Sequence, residues 1–429
     1  MLFACATAFV LFLHVSFMNK YSHKVFLCGH FSYDKDNVEA LSGWERLYSD
    51  ENAKESYSQL FYPEFVRAYL PSEESAHMRH YRLVVGEKVS LELQGAMHEL
   101  HVKEIVLYLS TYDIAMFSVE VEHETDNLNT VTLVLSLLRS PAFYTQVQDE
   151  FVKMALDPVR EAYKVLNRVH ECPLDDLIEN GNKFKAFQIV NAVGEEKEDV
   201  GRCMTLFELG TVSRMTPPGE EEQCQTCDEY ITRILENNKV AVFKNWRALG
   251  LMDTFTIYSD NAAEGLLNVW CNIYFRFIYI SQLFQKCYLF SLNKRFRLKS
   301  SPVTRLEAEY RNFERECCFN KISYNFLPLE INEAMDKGLE VSEERCTLHE
   351  TLETEYERRR SSSDKMENAL LLVLSLMTTA SALWDLTSLM NEVYPYTEHF
   401  GTSLVGHRLV VSVAMALIAI MTYFIYKKR

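Results

Sequence analysis

The chain has 429 residues, room for about three average domains, or for two and a membrane region. Its 44 Lys+Arg against 60 Asp+Glu leave a net charge of −16, which disfavours nucleic acid as a direct partner and keeps cations in play. With 48% hydrophobic residues, 14 Gly and 10 Pro, it is neither disordered nor collagenous.

Leu2 to Phe17 form an apolar stretch without a basic n-region or a small-residue cleavage site. Two readings stand: residues 1–17 precede a natural start at Met18, or they are an extra anchor whose inner flank carries Lys20 and Lys24. The 11 cysteines, odd in number and scattered, read as reduced and cytosolic. Residues 18–300 alternate strand and helix patterns, which predicts a mixed α/β cytoplasmic domain. His98-Glu-Leu-His101 spaces its histidines at i and i+3 within strand-like alternation, so it is not the helical i, i+4 zinc motif. Val102 to Leu109 and Ile114 to Glu122 read as a strand pair around Ser110 to Asp113. Asp126 and Asn127 offer N-caps for a helix from Thr130 to Leu138, stopped before Pro141. Ala186 to Val193 and Met204 to Val212 read as a second hairpin across an acidic loop. Cys224 and Cys227 make a lone C-x-x-C, without the second pair a structural zinc site needs. Cys227 to Asn237 reads as helix and Asp253 to Tyr258 as extended chain.

Val269 to Phe290 is hydrophobic and aromatic, but Arg276 and Lys286 make a membrane span costly. It reads as a helix buried in the α/β domain or in an oligomer interface. The basic run Lys294, Arg295, Arg297 and Lys299 is either a solvated turn or a site for an anionic ligand. Residues 301–365 read as a helical stalk, with one arm from Arg305 to Cys318. From Leu329 a single helix is predicted to run to Met390, on the order of 90 Å. Ile331, Met335, Leu339, Cys346 and Leu352 give it a narrow apolar stripe, suited to several long helices around an axis.

Two segments, 366–390 and 409–426, are apolar enough to cross a roughly 30 Å hydrocarbon core. Arg358, Arg359, Arg360 and Lys365 precede the first, and Lys427, Lys428 and Arg429 follow the second. The positive-inside rule then puts both flanks in the cytoplasm, 391–408 outside and 427–429 inside, as a multi-pass protein of the cell (inner) membrane. In the first segment, Asn368, Ser375, Thr378, Ser381, Asp385 and Ser388 follow at steps of 7, 3, 3, 4 and 3, one broad arc of a supercoiled helix. The second segment carries only Ser412 and Thr422, the profile of a lipid-facing outer helix. The bland reading of the arc is hydroxyls bonded back to their own helix or to a neighbour. Asp385 resists it, because a carboxylate at that depth is costly unless it meets water, a partner or an ion. Around an axis of identical subunits, Asp385 would form a cation-attracting ring, with Asn391 offering amide oxygens at the mouth. Oxygen ligands with retained water suit Mg²⁺.

The order of α/β domain, very long helix, Leu389-Met390-Asn391, short loop and final apolar helix ending on Lys427-Lys-Arg429 resembles the CorA family of divalent-cation channels. Its signature at this place is Gly-Met-Asn; Met390 and Asn391 match and Leu389 replaces the glycine. The resemblance covers the last hundred residues or so and is architectural before them. It implies a homopentamer with both termini inside, an ion-entry role for Asn391, Mg²⁺ or another divalent cation as the transported or regulatory ion, and gating by the long helices. The lost glycine and the added Asp385 mark a divergent branch, similar to CorA-like proteins encoded beside type III CRISPR systems and opened by a nucleotide messenger. In that branch Lys294, Arg295, Arg297 and Lys299 would belong to the messenger site. The expectation is a ligand-gated, CorA-like cation channel, with constitutive Mg²⁺ transport as the alternative. No nucleophile and base or metal cluster points to an enzyme, and no tightly bound cofactor is expected.

Overall fold

The computed structural model describes residues 20–72, 77–93, 95–146, 150–178, 183–194, 198–213, 226–298 and 302–393. The apolar leader 1–17, Cys224, Lys299, most of the expected external loop and the whole of 409–429 lie outside the described residues, as do the side chains of Met390 and Asn391. The chain divides into two compact units, Met1–Leu348 and His349–Arg429.

The first unit is built on one nine-stranded sheet in the order β2-β3-β4-β5-β1-β6-β9-β8-β7. Its strands are β1 (Lys20–Ser32), β2 (Glu45–Arg46), β3 (Met78–Leu93), β4 (Ala96–Ser110), β5 (Ile114–Thr125), β6 (Lys185–Val193), β7 (Lys239–Val240), β8 (Trp246–Gly250) and β9 (Thr254–Asp260). The helices are α1 (Glu51–Leu60), α2 (Pro63–Tyr69), α3 (Leu128–Arg139), α4 (Pro141–Gln146), α5 (Glu150–Ala155), α6 (Asp157–Asn167), α7 (Asp199–Thr211), α8 (Asp228–Asn238) and α9 (Glu264–Val269), then α10 (Ile280–Arg297), α11 (Val303–Cys317), α12 (Phe326–Leu339) and α13 (Val341–Val393).

The expected pair around Ser110 to Asp113 is the β4–β5 hairpin, and His98 and His101 lie on β4 as strand residues. Asn127 caps α3, its side chain accepting from the Asn129 N–H at 2.9 Å. The second expected hairpin does not form: Met204 to Val212 falls in α7 and at its C-cap. The reason is topological. β6 pairs with β9 in parallel, and parallel neighbours need a crossover, here begun by α7. Leu206 and Leu209 of α7 pack on Val190, Leu249 and Tyr258.

Both faces of the sheet centre are covered, so β1 buries consecutive residues rather than alternating ones. On one face Val25, Leu27, Leu100, Val119 and Val121 share a core with Val134 and Leu138 of α3, Val152 of α5 and Val159 and Leu166 of α6. On the other, Phe26 stacks on Phe275 with centroids 3.9 Å apart, and Phe187 meets Phe255, Phe275 and Tyr279. Phe275 and Tyr279 belong to a π-helical stretch, Trp270–Tyr279, that runs into α10. The segment read as a buried helix is therefore buried, with a π-helical stretch that the sequence pattern did not announce. Arg276 pairs there with Glu104 and, at 3.1 Å, with Glu120, which compensates its desolvation.

The single helix expected from Leu329 is broken. α12 ends at Leu339, Glu340 is left-handed (φ 57, ψ 38), and α13 starts at Val341. Ile331, Met335 and Leu339 are buried as the stripe required, whereas Cys346 is exposed. α12 is clamped to the sheet through Gly338, where a Cβ would lie 2.7 Å from the Gly250 carbonyl carbon. The Asp336 carboxylate then takes the Ser342 N–H and hydroxyl at 3.1 and 2.5 Å and fixes the first turn of α13.

α13 has 53 residues, a length of about 80 Å. Among the described residues no helix is long and apolar enough to cross a membrane; within 369–390 the side chains at 383, 386, 387, 389 and 390 are outside the described set.

Candidate functional site

The expected pore wall lies on α13. Asn368, Ser375, Thr378, Ser381, Asp385 and Ser388 are all exposed. At about 100° per residue, these six and Thr379 occupy one half of the helix circumference. Met366, Leu372, Val373, Leu376, Met377, Ala380 and Trp384 occupy the other half. Leu370, Leu371, Leu374 and Ala382 interrupt the polar half.

The apolar residues are equally bare: Leu370, Leu371, Leu374, Met377 and Trp384 are each more than half exposed. Burying five such side chains is worth on the order of 10 kcal/mol, as much as the net stability of a whole domain. A helix surface of this kind calls for lipid or other helices.

Two hydroxyls on the polar half have their protons turned inward. Thr378 Oγ1 donates to the Leu374 and Ser375 carbonyls at 3.0 and 2.9 Å, and Thr379 Oγ1 to the Ser375 carbonyl at 2.7 Å. The bland expectation thus holds for these two residues. It also has a chemical consequence: a hydroxyl that has spent its one proton has only lone pairs left, which favour a cation.

The basic run on α10 does not gather into one patch. Arg295 turns to α11 and pairs with Glu309 at 2.7 Å; burial works against the Glu309 carboxylate, but Arg295 and Arg305 hold its pKa below the usual range. Arg297 is exposed. Lys294 borders a cavity of about 250 Å³ together with His30, Tyr163, Asp175 and Asp176, an acidic setting for an anion.

A larger cavity, about 530 Å³, opens elsewhere in the same unit. Ser136 and Arg139 at the end of α3, Lys183, the end of α7, Tyr230, Ile234 and Asn238 of α8, the β8–β9 turn, and Lys337, Gly338 and Glu340 line it. Asp253 in that turn is bridged by Lys185 at 2.9 Å and Arg139 at 3.0 Å; burial opposes its charge, yet the two cations pull its pKa down. Arg139 is buried, donates Nε to the Phe184 carbonyl at 2.9 Å, and holds Nη2 near Asp253 outside hydrogen-bond geometry. Sequence reading missed this constellation, because its residues come from segments some 200 positions apart with no local motif.

Among the described residues no group of three or more His, Cys, Asp or Glu side chains is arranged to hold a metal ion. Within one chain the expected metal ligation therefore rests on Asp385, Asn391 being outside the described side chains. No family model matches the chain, and no curated protein matches it.

Proposed function

We propose that the chain is one subunit of a CorA-like cation-conducting membrane channel, controlled by a ligand on its α/β unit. The observation that carries this reading is the two-sided surface of α13 between Met366 and Ser388, with two carboxylates, Glu367 and Asp385, on the polar half and exposed hydrocarbon on the other. Copies arranged around an axis would turn the polar halves inward and give the apolar halves to lipid and to the second apolar segment. Asp385 would then be repeated as a ring of negative charge, which concentrates cations and repels anions. One to two turns before it along α13, the Thr378 and Thr379 hydroxyls have given their protons to their own helix and offer lone pairs. Such a wall exchanges only part of an ion's water, which suits a cation as reluctant to dehydrate as Mg²⁺. The likeness of Met390-Asn391 to the CorA signature supports the same ion and an entry role for Asn391.

Constitutive Mg²⁺ transport shares this pore and is favoured by that same likeness. Control by a ligand is favoured by the cavity at Lys337 to Glu340, where α12 gives way to α13. The orientation of α13 is tested by thiol accessibility in reconstituted protein. Cysteines at Ser375 and Ser381 should react with a water-soluble thiol reagent much faster than cysteines at Val373 and Met377, with labelling resolved by mass spectrometry. Equal rates on both halves would remove the pore wall.

A further inference from the structure

We propose that the 530 Å³ cavity between α3, α7, α8, the β8–β9 turn and the end of α12 binds a phosphate-bearing small molecule of about nucleotide size. The binding part stands on the α/β unit alone; its regulatory consequence rests on the channel reading.

Charge bookkeeping around the cavity leaves a surplus of cations. Arg139 and Lys185 share one carboxylate, Asp253. Lys183 makes no ion pair among the described residues. Lys337 is matched by Glu333 at 2.7 Å, and Glu340 lies 3.9 Å from Lys286. Lys286 also pairs with Glu344 at 3.3 Å, so one positive charge stands unmatched, in a chain whose net charge is −16. Arg139 Nη2 is buried, lies 3.0 Å from Asp253 without good hydrogen-bond geometry, and can donate to a phosphate or carboxylate oxygen.

The carbonyls that would otherwise draw a cation are spent. At the end of α7 the Phe207 carbonyl accepts from Thr211 Oγ1, Leu209 from Gln188 Nε2 and Gly210 from Thr254 Oγ1. The opposite wall is apolar: Tyr230 and Ile234 sit one turn apart on α8, and Met252 is half exposed beside them. The volume is that of an ordinary small-molecule site, and an anionic head with a flat apolar body matches both walls.

The position gives the site its consequence. Lys337, Gly338 and Glu340 form the last turn of α12 and its left-handed end, and the Glu340 carbonyl accepts the first α13 amide bond, from Glu344 N–H at 3.1 Å. A ligand held by Lys183 and Arg139 and touching Lys337 braces this turn.

The test is calorimetric titration of the full-length protein in detergent with inorganic pyrophosphate and with adenosine monophosphate. Lys183 is exposed, so Lys183→Ala should fold normally and weaken both probes by about tenfold. Tyr230→Ala should weaken adenosine monophosphate and spare pyrophosphate, and bound probe should slow hydrogen exchange at Glu344. Absence of binding to either probe overturns the proposal, as does wild-type affinity in Lys183→Ala, or a loss of binding in Lys294→Ala that Lys183→Ala does not share. Vesicle flux is read separately. Lys183-dependent binding without any flux keeps the site and removes the channel, whereas flux without binding keeps the channel and removes the site.

Discussion

His23 and His80 are buried in the sheet, and each has a price that depends on pH. His23 Nε2 faces Gln188 Oε1 at 3.1 Å, an amide oriented by the Leu209 carbonyl and Thr256 Oγ1, while His80 Nε2 has no partner among the described residues. Burial, helped by His123 for the first and Arg276 for the second, lowers both pKa values to about 3. The fold thus prefers the neutral rings, and the unfolded chain takes up protons first. Stability is complete above the unfolded value near 6.5 and falls from there down to about pH 3. At pH 5 the loss is about 2 kcal/mol per histidine. Thermal unfolding at pH 7.5 and 5.0 should register it, and, because His30 and His123 are lowered as well, to about 4, His80→Phe should recover about a quarter of the histidine loss; an unchanged acid loss in that variant would contradict the assignment. Arg276 is a second residue whose value lies in its partners. Arg276→Leu leaves Glu104 facing Glu120 with little exposure of either, and denaturation should show a cost of about 3 kcal/mol.

At the scale of elements, the turn between α12 and α13 makes the sharpest demand. Gly338→Ala would push a methyl group to 2.7 Å from the Gly250 carbonyl carbon and 2.9 Å from Leu251 N, so stability should fall by about 1–3 kcal/mol. Glu340→Gly should keep or raise stability, by up to about 1 kcal/mol, because a left-handed residue with a Cβ is strained. Chemical denaturation checks both, and a stable Gly338→Ala would mean that α12 is not clamped. The same turn marks where sequence reading stopped short. Periodicity found the β4–β5 pair, α3 and the buried aromatic helix, because alternation, an N-cap and an Arg inside an apolar run are local signals. It joined α12 to α13 because Glu340 carries no sign of a left-handed backbone. It took Met204 to Val212 for a strand because short apolar runs fit both periods, and only the parallel β6–β9 pairing decides the matter.

For the whole molecule, the polar arc from Asn368 to Ser388 could be read from spacing alone, since it lies within one helix. The 530 Å³ cavity could not, because Arg139, Lys183, Tyr230, Asp253 and Lys337 meet only when the sheet is assembled. A cavity with surplus positive charge also predicts salt dependence: affinity for pyrophosphate should fall as ionic strength rises, and a salt-independent affinity would point to the apolar wall instead. The channel itself rests on Asp385. The deciding measurement is Mg²⁺ entry into vesicles carrying the full-length protein, with and without adenosine monophosphate, in wild type and in Asp385→Asn, which keeps the shape and removes the charge. A cation channel with a carboxylate ring predicts wild-type flux that falls on the order of tenfold in the variant. Equal flux in the two proteins, or none from wild type under either condition, would contradict it.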